Sequence, residues 1–194
     1  PGRAFLRLGP ADRVAFQTAL VTDHAQGIDD AEIRVSRFTL TDPGAGRQAY
    51  EKAHIPGARY VHLDDDLSAP VSEKTGRHPL PDPHVLTARL CEWGIGVNKQ
   101  VVVYDDSYGA MAVRLWWMLR WLGHERAAVL DGGWNAWTAE GRPVTAEAPA
   151  IVAGTFAAAP NAIAVDAAFV GSHLNSPQMI IVDARSPDRF RGEN

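Results

Sequence analysis

Residues 101–134, VVVYDDSYGAMAVRLWWMLRWLGHERAAVLDGGW, constrain the fold more than any other stretch of this chain. The run 101–104 is β-branched and aromatic and ends in two carboxylates, the pattern of an interior strand. From Gly109 to Leu122, Met111, Leu115, Met118, Leu119 and Leu122 recur at helical spacing. Val113, Trp116, Trp117 and Trp121 fill the other side, leaving Arg114 and Arg120 as the charges of a helix apolar nearly all round. Such a helix is buried. Gly123 supplies its stop, and residues 127–130 return as a second buried strand before a Gly-Gly turn. The pattern predicts a parallel strand–helix–strand unit with a right-handed crossover. In open α/β sheets ligands gather beyond the carboxyl ends of the strands, here at residues 105–108. No nucleophilic side chain with an activating base stands there.

The rest of the chain fits an α/β protein. Its 194 residues are 46% hydrophobic and 22% charged, ordinary for a globular chain. No apolar run reaches the roughly 18 residues of a membrane span. The opening PGRAFLRLGP has neither a leader's apolar core nor a Met, so the start is expected to be processed or incomplete. A single cysteine, Cys91, excludes an internal disulfide framework and predicts a reducing, cytoplasmic setting. A net charge of −4 speaks against nonspecific nucleic-acid binding.

In order, residues 14–21 suit a short amphipathic helix and 22–30 a loop. Residues 33–40 suit a strand, 41–47 a Gly/Pro loop, 50–53 a turn of helix, and 59–63 a short strand after the Pro56-Gly57 turn. Residues 64–81 are polar and aperiodic, and long loops of this kind are commonly functional. Asp82 and Pro83 form a helix start, with Val85, Leu86, Leu90 and Trp93 inward and Gly94 as stop. A short helix follows at 134–140. Residues 1–146 are therefore expected to form one domain and the Ala/Pro/Gly-rich residues 147–160 a linker. Residues 161–194 begin a second domain, with a helix capped by Asp166 and a buried strand at 179–183.

HIPGARYVHLDDD, TGRHPLP, VVVYDDSYGAMAVRLWWMLRWLGH and VLDGGWNAW together resemble the N-terminal domain of the tandem-domain rhodaneses, the thiosulfate and 3-mercaptopyruvate sulfurtransferases. VDARSPDRFRGE resembles the opening of their C-terminal, catalytic domain. The match runs from about residue 33 to the end; residues 1–32 match poorly. The resemblance implies a rhodanese-like module with a mainly parallel five-stranded sheet and helices on both faces, followed by an incomplete second module. It also implies sulfur transfer from an anionic donor to a thiol or cyanide acceptor, through a persulfide on a cysteine of the second module. That cysteine would lie beyond Asn194, so this chain alone is expected to be inactive. An inactive stand-alone binding or regulatory module is the alternative. No cofactor is implied, and the oligomeric state is left open.

The resemblance also assigns positions. Asp105 stands at the place of the nucleophile, in a loop that would otherwise be an anion nest. Asp64 matches an aspartate proposed to assist proton movement, the other reading being a solvated loop carboxylate. His78 matches a substrate-contacting histidine, and a near-neutral imidazole can donate to an anion. Arg189 takes the position of an arginine that binds the donor's anionic group, with Arg191 second, since a guanidinium fork suits such a group. Asp183 and Arg185 are expected to pair at a strand end. Cys91, inside a helix, is a structural thiol, and Arg114 and Arg120 are expected to pair with Asp105, Asp106 or Asp131. The histidines lack metal-ligand spacing, and phosphate-binding glycine motifs are absent. A phosphatase of the Cys-x5-Arg type is excluded because the position six residues ahead of Arg114 is Tyr108, not a cysteine.

Overall fold

Alternation along one strand sorts the core into two faces. The computed structural model describes residues 3–7, 13–17, 31–35 and 43–193. Strands β1 (Arg3–Arg7) and β2 (Arg13–Gln17) pair antiparallel, Arg3 opposite Gln17. Strands β3 (Ala31–Val35), β4 (Gln100–Tyr104) and β5 (Ala127–Val129) form a parallel sheet in the order β3-β4-β5. Ala31 lies opposite Gln100, and Val101 opposite Ala127. Val101 and Val103 face a large cluster with Leu86, Leu90, Leu115, Met118 and Leu119. Tyr104 faces a smaller one with Ile55, Ala58 and Trp137. Helices α3 (Pro83–Glu92) and α4 (Ala112–Trp121) supply the first cluster, and α5 (Gly133–Ala139) the second.

The helix at Pro83 forms as its sequence predicts. Asp82 Oδ1 accepts the His84 and Val85 N–H groups at 2.8 and 3.2 Å, and Gly94 takes a φ of 83° after the end. Leu86, Leu90 and Trp93 are buried, but Val85 faces outward. The strand–helix–strand unit is also present, with Trp116 Nε1 donating to Ala127 O at 3.1 Å.

Other expectations are corrected. Helix α1 (Pro43–Lys52) occupies most of the stretch read as a Gly/Pro loop; Pro43 suits a first helical turn and overrides the loop composition behind it. Among the described residues, 59–62 belong to no assigned strand. The polar stretch after them opens with α2 (Leu63–Leu67), five residues too short to show a period. Residues 13–17 form β2 where a helix was expected; 18–21, the 22–30 loop and 36–40 lie outside the described residues.

The chain divides into two units, Pro1–Asn161 and Ala162–Asn194. The Ala/Pro/Gly-rich stretch 147–160 lies along the first. Gly154 N–H donates to Cys91 O at 2.8 Å, Ala159 N–H to Leu122 O at 3.0 Å and Asn161 N–H to Trp121 O at 2.7 Å. These bonds satisfy carbonyls that the ends of α3 and α4 leave without helical partners. A Cβ on Gly154 would collide with the main chain of Gly94 and Ile95, so only glycine fits there. The Cys91 thiol lies under the same strap, donating to Phe156 O at 3.5 Å.

In the second unit Asp166 caps α6 (Ala167–Ser172), its Oδ1 accepting Phe169 N–H at 2.7 Å. Residues 179–183 form no strand, and Ile180 and Val182 are 87% and 80% exposed. An apolar run becomes a buried strand only beside other strands, and no strand is described within this unit. Helix α7 (Pro187–Phe190) follows.

Candidate functional site

Two of the expected site residues meet in the first unit. Asp64 sits in the first turn of α2, and its Oδ1 is 3.1 Å from His78 Nε2. A carboxylate accepts, so the ring must donate from Nε2, which leaves Nδ1 as the nitrogen free to exchange a proton. Both side chains are part-exposed.

Helix α2 is held by reciprocal capping. His62 Nδ1 accepts Asp65 N–H at 3.2 Å, and Asp66 Oδ2 accepts His62 N–H at 2.7 Å. Three aspartates in the first turn suit the positive end of the helix. At its other end, Arg89 Nη1 donates to Asp65 O and Asp66 O at 2.6 and 2.7 Å. His78 closes the loop that follows α2. The loop base is pinned by Ala69 N–H donating to Pro79 O at 3.0 Å.

Arg114 completes that base, and here the sequence reading is corrected. Its Nη2 donates to Leu67 O at 2.8 Å and His78 O at 3.0 Å, and its Nε to Leu67 O at 3.2 Å. Burial pulls the Arg114 pKa below its usual value, and the Asp64 charge pushes back. The partners are loop carbonyls, not Asp105, Asp106 or Asp131. Arg120 lies over the Trp116 ring, 5.6 Å from its centroid. Beside the pair an open depression of about 570 Å3 is lined by Asp64, Asp66, Val71, Arg77, Val85 and Arg89, among others.

Asp105 sits elsewhere, fully buried at the end of β4. Its Oδ1 accepts the Ser107 and Gly109 N–H groups at 2.9 and 2.7 Å, and its Oδ2 those of Met111 and Ala112 at 2.7 and 2.8 Å. Tyr108 and Gly109, at φ 57° and 87°, turn the amides inward. The loop is an anion nest filled by the chain's own carboxylate. Gly133 backs it: a Cβ there would strike Asp105 O, which accepts Trp134 N–H at 2.9 Å.

The arginine candidates belong to the second unit. Arg189 is exposed on α7. Arg191 pairs with Glu193 through two bonds of 2.6 and 2.8 Å. Asp183 and Arg185 form the expected pair, with Nη2 to Oδ2 at 2.6 Å; the Arg185 side chain, then its backbone N–H, holds the Asp183 pKa at about 2. Among the described residues no group of three His, Cys, Asp or Glu side chains could hold a metal ion, and no helix is long and apolar enough to cross a membrane.

A parallel sheet flanked by helices, with a strand-to-helix nest beyond its central strand, defines the rhodanese-type class of α/β modules. Residues 41–140 match the model of the rhodanese-like domain, and the chain belongs to that family. It is 46% identical over 160 residues to a protein of Pseudomonas aeruginosa named "Probable 3-mercaptopyruvate sulfurtransferase", covering 81% of this chain and 56% of that one. It is 33% identical over 178 residues to the 3-mercaptopyruvate sulfurtransferase of Escherichia coli K12, covering 87% of this chain and 61% of that one. The solved 3-mercaptopyruvate sulfurtransferase from Leishmania major superposes with a TM-score of 0.71 at 33% identity, over 84% of this chain and 44% of that one. The chain thus spans about three fifths of the two curated relatives' length.

Proposed function

We propose that these 194 residues are the front part of a two-module sulfurtransferase: a non-catalytic first module, 1–146, a connecting segment, 147–160, and the start of the catalytic module. The sulfur donor is thiosulfate or 3-mercaptopyruvate. A thiolate from a part of the protein outside this sequence attacks the donor's transferable sulfur. An S–S bond forms on the cysteine, while the donor's S–S or C–S bond breaks to release sulfite or the enolate of pyruvate. The enolate takes up a proton. Cyanide or a thiolate then takes the outer sulfur and regenerates the cysteine thiolate.

The observation that carries this reading is the Asp64–His78 pair. Asp64 orients the ring through Nε2, and Nδ1 faces away to hand a proton to the enolate that the donor releases. Arg189, with Arg191 beside it, binds the donor's anionic group. The first module's own loop takes no part in sulfur transfer, because Asp105 already fills its donors. The Cys91 thiol is committed to Phe156 O within α3 and the strap.

The test uses the longer protein that contains this chain. It should form thiocyanate from thiosulfate and cyanide, or pyruvate from mercaptopyruvate. Asp64→Asn and His78→Gln should each lower kcat by about 100-fold. Arg189→Ala should chiefly raise the donor KM. A longer protein inactive with both donors would overturn the reading in favour of an inactive binding module.

A further inference from the structure

We propose that Arg114 is the positioning residue for the Asp64–His78 pair, tying both to the helix that follows the Asp105 loop. The inference rests on the functional reading of that pair. His78 is the last residue of the loop after α2, and Asp64 lies in α2 itself. Nothing in that eleven-residue stretch between Leu67 and Pro79 buries a large apolar side chain: Val71 is exposed, and the turn at Ser72–Thr75 is held by local bonds alone. Hydrophobic packing therefore does not fix where His78 stands. What fixes it is polar. Arg114 Nη2 grips the main-chain oxygens at both ends of the loop, Leu67 O at 2.8 Å and His78 O at 3.0 Å, with Pro79 O at 3.3 Å. The arginine rises from α4, whose Leu115, Met118 and Leu119 are fully buried, so the grip is anchored in the rigid core.

A planar guanidinium has the donors to hold two carbonyls together in a fixed geometry. The carbonyl it holds belongs to the residue whose ring must face Asp64. A shift of about 1 Å there exceeds the tolerance of a hydrogen bond. The Arg114 charge also stands near enough to the Asp64 carboxylate for the two to interact. Arg114 thus touches neither donor nor sulfur in this reading; it holds the residue that does.

The experiment reads the His78 ring directly, in the 194-residue chain, by long-range proton–nitrogen correlation. The unaltered chain should show a single tautomer protonated at Nε2. Arg114→Met should remain folded but show the mixed tautomers of a free imidazole, with the Ala69 amide exchanging at least about tenfold faster. Arg114→Lys, whose ammonium can take the place of Nη2, should retain the single tautomer. Arg114→Gln is read by the same criterion if the methionine variant does not fold. A single Nε2 tautomer surviving in a folded Arg114→Met or Arg114→Gln chain would overturn the inference, because a merely structural arginine would leave the ring unchanged. In the longer protein, Arg114→Met should lower kcat by about tenfold or more with the donor KM unchanged. Should Asp64→Asn leave turnover intact while Arg114→Met still frees the ring, the functional reading fails and the positioning role stands.

Discussion

Asp105 spends its whole hydrogen-bonding capacity on four amides, so the loop's shape depends on one ionised side chain. Asp105→Asn keeps the size but turns one oxygen into a donor facing amides that need an acceptor. We expect a loss of about 3 kcal/mol, measured by urea unfolding. A second residue-scale prediction concerns His124. It is buried, with Nε2 3.1 Å from Gly96 O and no partner for Nδ1 among the described residues, and burial lowers its pKa below the ordinary 6.5. The unfolded chain then binds a proton near pH 6 that the folded one refuses, so stability falls as pH drops below about 6.5. Comparing unfolding midpoints at about pH 7.5 and about pH 5.5, His124→Phe should lose less than the unaltered chain. An equal loss would refute the assignment. The sequence could single out Asp64, His78 and Asp105 because they stand inside recognisable motifs, and the structure brings Asp64 and His78 together. Arg114 was not: a sequence reading pairs charge with charge, and its acceptors are main-chain oxygens 47 and 36 residues away.

Elements with strong punctuation were read correctly and weakly periodic ones were not. Asp82, Pro83 and Gly94 bracket α3 as written, and β4, α4 and β5 follow their apolar patterns. Helix α2 escaped because its stability is local capping and the Arg89 clamp, which leave no period. The strap over α3 and α4 escaped for another reason: its small residues look like a flexible tether, yet at Gly154 a Cβ would strike the main chain of Gly94 and Ile95. Gly154→Val should therefore loosen the strap, and hydrogen exchange at Ala159 and Asn161 should rise by at least about tenfold. Unchanged protection would mean that the strap is held elsewhere.

At the scale of the molecule the two units differ in kind. The first has a core on both faces of its sheet; the second leaves Ile163, Val165, Ile180 and Val182 open to solvent. Amides of 179–185 should exchange quickly and those of 101–103 slowly; strong protection of 179–185 would show that another surface covers them. Exposed apolar chain also pairs readily with its like, so sedimentation should reveal association as concentration rises. The 194-residue chain should make no thiocyanate beyond a Cys91→Ser control. The fold class was legible because the central unit dominates the first core. The fate of 179–183 was not, since an apolar run carries no record of whether a neighbour is there to cover it.

The nest around Asp105 has one more consequence, for solution conditions. A tethered carboxylate competes with free anions at an effective concentration that millimolar solutes cannot match. The folded protein should therefore respond equally to sulfate, thiosulfate or phosphate at one ionic strength. Asp105→Ala would make a vacancy of the same donors, and its melting temperature would then climb with whichever anion best fits four inward-pointing amides. The native loop is a receptor that travels with its own ligand.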